Sequence, residues 1–122
     1  MRKAYIIYED SKAWYLKFFK RGFKHCFIVA QCMYSADQFM VIDYRPWQIR
    51  TRIIDKADLT VLLMMSVNKG HTVQDTFIRD RKPQDSYALA SINCVTTVKR
   101  VLGLKAPWVL TPFQLFNKLK ET

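Results

Sequence analysis

Two short β-forming runs stand close together in the first half of the chain, residues 24–31 (KHCFIVAQ) and 38–44 (QFMVIDY). Both are rich in β-branched and aromatic side chains, and the six residues between them, 32–37, are polar enough to turn. This predicts an antiparallel hairpin. A lone hairpin is marginal in water, so the rest of the chain must extend it or cover it. Residues 5–8 (YIIY) read as another strand. Residues 48–54 (QIRTRII) alternate polar and apolar, which predicts a half-buried strand with its arginines in solvent.

The helical signals come later. Residues 12–20 (KAWYLKFFK) read as a turn or two of helix, with Trp14, Leu16 and Phe18 partly buried and Gly22 closing it. Residues 55–68 carry mixed signals. Asp55 can cap, Asp58 suits a first turn and Lys69-Gly70 is a stop, whereas Thr60, Val61 and Val67 favour a strand. A helix is the reading taken, followed by a strand over residues 71–78 and a charged loop over 79–84. In residues 91–102, Ile92, Val95, Val98, Val101 and Leu102 recur at helical spacing, with Ser91 as N-cap and Gly103 in the C′ role. Thr111-Pro112-Phe113-Gln114 is a capping box with proline at the first helical position. It opens a last helix to about Glu121, whose stripe is Phe113, Leu115, Phe116 and Leu119. Strands followed by helices define the expected fold class, α+β.

Composition bounds what such a fold does. At 122 residues and 50% apolar, the chain is read as one domain, residues 1–122, with a core of its own and no need of metal or disulfide staples. Its longest apolar run, residues 61–65, falls far short of the ~20 needed to cross a bilayer, so no membrane partner is expected. The apolar stretch near Met1 is too short for a secretory segment, so no signal peptide is expected. Cys26, Cys32 and Cys94 match no paired metal or redox spacing and are read as free thiols; no metal or cofactor is expected. Twenty Lys+Arg against ten Asp+Glu give a net charge of +10, which favours an acidic partner: nucleic acid, an anionic envelope polymer or an acidic protein. Residues 11–36 and 86–120 hold no acidic residue. With their interleaved aromatics they permit a nucleic-acid-binding reading, although no nucleic-acid motif is present.

Three residues carry candidate chemistry. Cys94 falls in the first turn of the helix after Ser91, where unpaired N–H groups and the helix dipole favour a thiolate. It is either a nucleophile or a small buried hydrophobe. Its own backbone N–H can serve a developing oxyanion, with Tyr87, Ser91 and Asn93 as weak candidates for a second donor. His25 suits the base that such a thiol needs. Strand alternation puts it on one face with Phe27 and Val29, and turns Cys26 the other way, into the core with Ile28. A hairpin turning about Tyr34 pairs residues whose numbers sum to about 68, which sets Asp43 opposite His25. Asp43 is then either the group orienting the imidazole or an ordinary strand-end aspartate. His71, beside Gly70, has no companion and is read as solvated.

The succession RGFKHCFIV, MVIDYRPW, NCVTTVKRVLGL and WVLTPFQLFNKL resembles small phage-encoded proteins of the NlpC-type papain-like cysteine peptidase superfamily. It is similar to the circularly permuted branch, in which the His strand precedes the Cys helix and which also resembles lecithin retinol acyltransferase-like enzymes. The resemblance spans residues from about Phe23 to Leu119 and is most specific at the blocks CVTTVKRVLG and LTPFQL. It implies a papain-like core with a Cys helix on an antiparallel sheet, Cys94 as nucleophile, His25 as base and Asp43 as third member. It implies a peptidase or amidase acting on a peptide or acyl substrate, with bacterial cell-wall peptide as the favoured one. It places the chain in the virion or the host cytoplasm, with other virion proteins as partners. The chain departs from better-known members in its scarcity of glycine and its lack of a clear second oxyanion donor. Those departures leave open an inactive scaffold of a phage particle (tail or capsid), where the aromatics Trp14, Tyr15, Trp47 and Trp108 would serve an interface.

Overall fold

The computed structural model describes residues 2–10, 20–45, 48–78, 94–104, 106 and 108–120. Within them the chain forms β1 (Arg2–Glu9), β2 (His25–Cys32), β3 (Ser35–Arg45), β4 (Gln48–Asp55), α1 (Lys56–Asn68), β5 (Thr72–Ile78), α2 (Cys94–Leu102) and α3 (Pro112–Lys120). The strands make one 5-stranded sheet in the order β4-β3-β2-β1-β5, antiparallel throughout. The class is α+β. The helical reading of residues 12–20, Ser91 as a cap, and the candidate donors Tyr87, Ser91 and Asn93 lie outside the described residues, as do Trp14, Tyr15 and Trp47.

The sheet is covered on both faces because its central strands are apolar on both. Ala4, Ile6 and Tyr8 of β1 and Cys26, Ile28 and Ala30 of β2 pack against Val95, Val98 and Leu102 of α2 and Leu115 of α3. The alternate residues Ile7 and Val29 join Phe39, Val41 and Ile54 against Leu59 of α1. The predicted alternation of His25 and Cys26 holds for Cys26, which is wholly buried in the first of these clusters.

Local chemistry explains the helix ends. Asp55 accepts the Asp58 N–H at 2.8 Å and starts α1. At α3 the capping box forms in both directions: Gln114 N–H donates to Thr111 Oγ1 at 3.2 Å, and Gln114 Oε1 accepts from Thr111 N–H at 3.1 Å. Gly103 ends α2 at φ 70°, in the left-handed region where a side chain would be strained. Lys99 Nζ then donates to the carbonyls of Ala106 (3.0 Å) and Val109 (2.8 Å), tying the connection back onto α2.

Three expectations need correction. The β2–β3 pairing runs Ile28↔Ile42, Val29↔Val41 and Gln31↔Phe39, sums of 70 rather than 68, because the register shifts between Gln31 and Cys32 beside the tight turn. The turn is correspondingly shorter than residues 32–37, and both strands reach into it. In β4 Arg50 and Arg52 are exposed as expected, but Ile49 and Ile53 are exposed as well, and the buried residue, Ile54, lies on the arginines' own face. His71 is partly buried rather than solvated, and its Nδ1 lies 3.8 Å from Glu9 Oε2.

Tyr8 shows how closely β1, β5 and α3 are coupled. Its ring is wholly buried and stacks edge-on to Phe116 at 5.5 Å. Its hydroxyl donates to Gln74 Oε1 at 2.7 Å, and Gln74 Nε2 donates to the Phe116 carbonyl at 3.1 Å. Tyr8→Phe removes only the hydroxyl and leaves the Gln74 oxygen without its donor, so a loss of about 1–3 kcal/mol is expected. A urea denaturation midpoint equal to wild type would show that the bond carries no net stability.

Candidate active site

One end of the sheet gathers the ionisable residues. His25 opens β2, Glu9 closes β1 directly opposite it, and Asp43 lies near the far end of β3. The two-residue register offset keeps parity, so Asp43 stays on the face first expected, as a diagonal rather than a direct neighbour of His25. His25 Nε2 meets Asp43 Oδ1 at 2.8 Å, and both residues are buried. Glu9 Oε1 stands 4.0 Å from the same ring nitrogen. With Nε2 occupied by Asp43, the ring offers its other nitrogen, Nδ1, to a further partner.

That partner is Cys94. It is the first residue of α2, which packs across β2, and it is only partly buried. The His25 ring and the Cys94 thiol are hydrogen-bonded to each other. Cys94 also receives the Cys26 thiol and the Cys26 backbone N–H. Adjacent strand residues point to opposite faces, so one sulfur reaches both only where the sheet opens. It does open here: the β2–β3 ladder stops at Ile28↔Ile42, although β2 begins at His25 and β3 continues to Arg45. The Cys26 N–H in this fork acts on the Cys94 sulfur.

The electrostatics follow from those contacts. The Cys94 thiol is brought down to about 5 by the Cys26 thiol donating to it, against burial, with the His25 hydrogen bond and charge and the Cys26 N–H adding to the effect. For His25, burial alone would lower the basicity. The hydrogen bonds to Asp43 and Cys94, and the negative charge on both, overcome burial and raise the imidazole to about 9. Between those limits the favoured state is a thiolate beside an imidazolium. This is the form a cysteine nucleophile needs, with its acid already protonated.

The three residues singled out from sequence therefore meet. Sequence reasoning missed Cys26 as a donor to the thiolate, and it missed Glu9 with His71 as an outer pair beside the imidazole. Glu9 was accessible only through the β1–β2 register. A cleft of about 420 Å³ approaches the site from the α1 side, with Glu9, Asp43, Arg50, Arg52, Lys69 and His71 in its wall. It touches the triad through Asp43. Among the described residues no group of His, Cys, Asp or Glu is placed to hold a metal ion, and no helix is long and apolar enough to cross a membrane. No protein-family model, curated protein or solved structure matches this chain.

Proposed function

We propose that the chain is a thiol hydrolase, a peptidase or amidase, with Cys94 as nucleophile, His25 as base and acid, and Asp43 as the residue that fixes the imidazole. The observation that carries this reading is the hydrogen-bonded run Asp43–His25–Cys94, in which Asp43 holds Nε2 at 2.8 Å. The Cys94 thiolate attacks an acyl carbon, and the Cys94 backbone N–H at the head of α2 steadies the oxyanion. His25 then gives its proton to the leaving group and takes one from the water that releases the acyl-enzyme. The order of His strand before Cys helix supports a permuted papain-like, NlpC-type architecture as part of the same proposal. The phage setting and a cell-wall peptide substrate rest on the resemblance of the sequence. The charge of +10 supports that substrate, since a cationic hydrolase concentrates on anionic wall polymers.

The test is to trap the acyl-enzyme. Incubated with an activated ester and, separately, with wall muropeptides, the protein should acquire an acyl group on Cys94, located by peptide mass spectrometry. Cys94→Ala should lower turnover by about 10³-fold or more. Turnover unchanged in Cys94→Ala, or an acyl group on another residue, would remove the proposal.

A further inference from the structure

Cys26 steadies the resting thiolate, but its own sulfur takes no part in the bond changes of the hydrolytic cycle. It is wholly buried, on the side of β2 facing α2, and Cys94 packs against the same cluster. The interaction between the two sulfurs lowers the Cys94 thiol and raises that of Cys26. An alanine or valine would fill the same core position, so packing alone does not call for a thiol there. The third cysteine, Cys32, ends the same strand. At ~3.3 Å per residue it is about 20 Å from Cys26 and does not compete.

We infer that Cys26 is a resolving cysteine, and that oxidation of Cys94 by a hydroperoxide ends in a Cys26–Cys94 disulfide. In the first step the Cys94 thiolate attacks the peroxide. A sulfur–oxygen bond forms and the oxygen–oxygen bond breaks. The departing oxyanion takes the proton of the His25 imidazolium. Sulfur loses two electrons and the peroxide gains them, leaving a sulfenic acid at Cys94. In the second step neutral His25 accepts the Cys26 proton and the Cys26 sulfur attacks Cys94. The sulfur–sulfur bond forms, the sulfur–oxygen bond breaks, and the hydroxide leaves as water with the proton from His25. A dithiol reverses the product by exchange.

The resting site keeps Cys26 out of this chemistry until it is needed. Its thiol is held protonated by the bond it donates to Cys94, and burial acts in the same direction. Once Cys94 carries oxygen, its sulfur no longer holds the negative charge that engages that proton. The sulfur it acted on is then the one it attacks. Bridging blocks hydrolysis reversibly and prevents further oxidation to the sulfinic acid, which thiols do not reduce.

The experiment uses the full chain treated with one equivalent of hydrogen peroxide at neutral pH, blocked with N-ethylmaleimide and mapped by mass spectrometry. Wild type should lose two hydrogens, retain Cys32 as its alkylated thiol, and yield a cross-linked peptide pair containing Cys26 and Cys94 that dithiothreitol separates. Cys26→Ala also removes a donor to the thiolate and so slows the first oxidation. The fraction of oxidised Cys94 that ends as sulfinic acid, rather than the rate, should therefore rise at least about tenfold over wild type. The wild-type map decides by itself should that variant fail to fold. Sulfinic acid on wild-type Cys94 without a bridge, or a bridge through Cys32, overturns the inference. The proposal shares the Cys94 thiolate with the hydrolase reading but fails separately from it. Rapid alkylation of Cys94 below neutral pH without bridging removes the resolving role alone. A Cys94 inert to both peroxide and alkylation removes both.

Discussion

His25→Ala should invert the pH response of Cys94 alkylation. In wild type the thiol, brought down to about 5, is ionised across the neutral range, so its rate with iodoacetamide should be flat above about pH 6. Without the imidazolium the thiol moves up, while the Cys26 thiol still acts to hold it down. The ordinary value near 8.5 is the upper limit of that move, and at this limit its rate should climb as much as tenfold per pH unit. At the same limit, ionisation alone would make the mutant several-hundredfold slower at about pH 6. A less basic thiolate is also a weaker nucleophile, which offsets much of that gap and leaves a deficit of about tenfold. The same offset makes the mutant the faster protein by about pH 8, so the two curves cross near neutrality. Parallel curves would mean that the imidazole does not set the ionisation of Cys94. Cys32, at the far end of β2, serves as the internal reference.

Asp43→Asn should have the second large effect, through His25. The aspartate supplies both a hydrogen bond and a negative charge to the ring, and together with Cys94 it holds the imidazole at about 9 despite burial. With asparagine, burial prevails and the ring loses its proton near neutral pH, so both the leaving-group acid and the partner of the thiolate are lost. Hydrolysis should fall by about 10²-fold or more, and its alkaline limit should move to lower pH. Stability carries a sign that can be checked. A histidine whose basicity is raised on folding stabilises the fold fully below its unfolded value, about 6.5, and loses that contribution as pH rises through the folded value. The urea midpoint of Asp43→Asn should therefore fall furthest below wild type at about pH 6, and the gap should narrow towards about pH 9.5. A gap independent of pH would assign Asp43 a packing role instead.

What the sequence disclosed divides along the range of the interactions. The hairpin, the Thr111–Gln114 capping box, the Gly103 stop and the stripe of α2 depend on neighbours a few residues away, and all were legible. Residues 55–68 were difficult for a physical reason. Val61, Met64, Met65 and Val67 are exposed while Leu59 faces the core, so the apolar residues of α1 surround it and no periodicity results. The register of β2 on β3 was misread by two residues because the irregularity at Gln31/Cys32 leaves no mark in composition. An even slip keeps every side chain on its face, which is why His25 and Asp43 still meet. The alternation in β4 was real, but the cover that decides which face is buried comes from α1, and short-range pattern does not contain it. Cys26 and the Glu9–His71 pair belong to the same class, since their roles exist only after strands and helix converge.

The central claim is that Cys94 and His25 rest as a charged pair, and the ring nitrogens of His25 report on it most directly. In uniformly ¹⁵N-labelled protein, both nitrogens of His25 should carry protons up to about pH 8, well above the ordinary titration near 6.5, and Cys94→Ala should pull that transition down. A His25 ring that is neutral at pH ~7 in wild type, titrating alike with and without the thiol, would contradict the account.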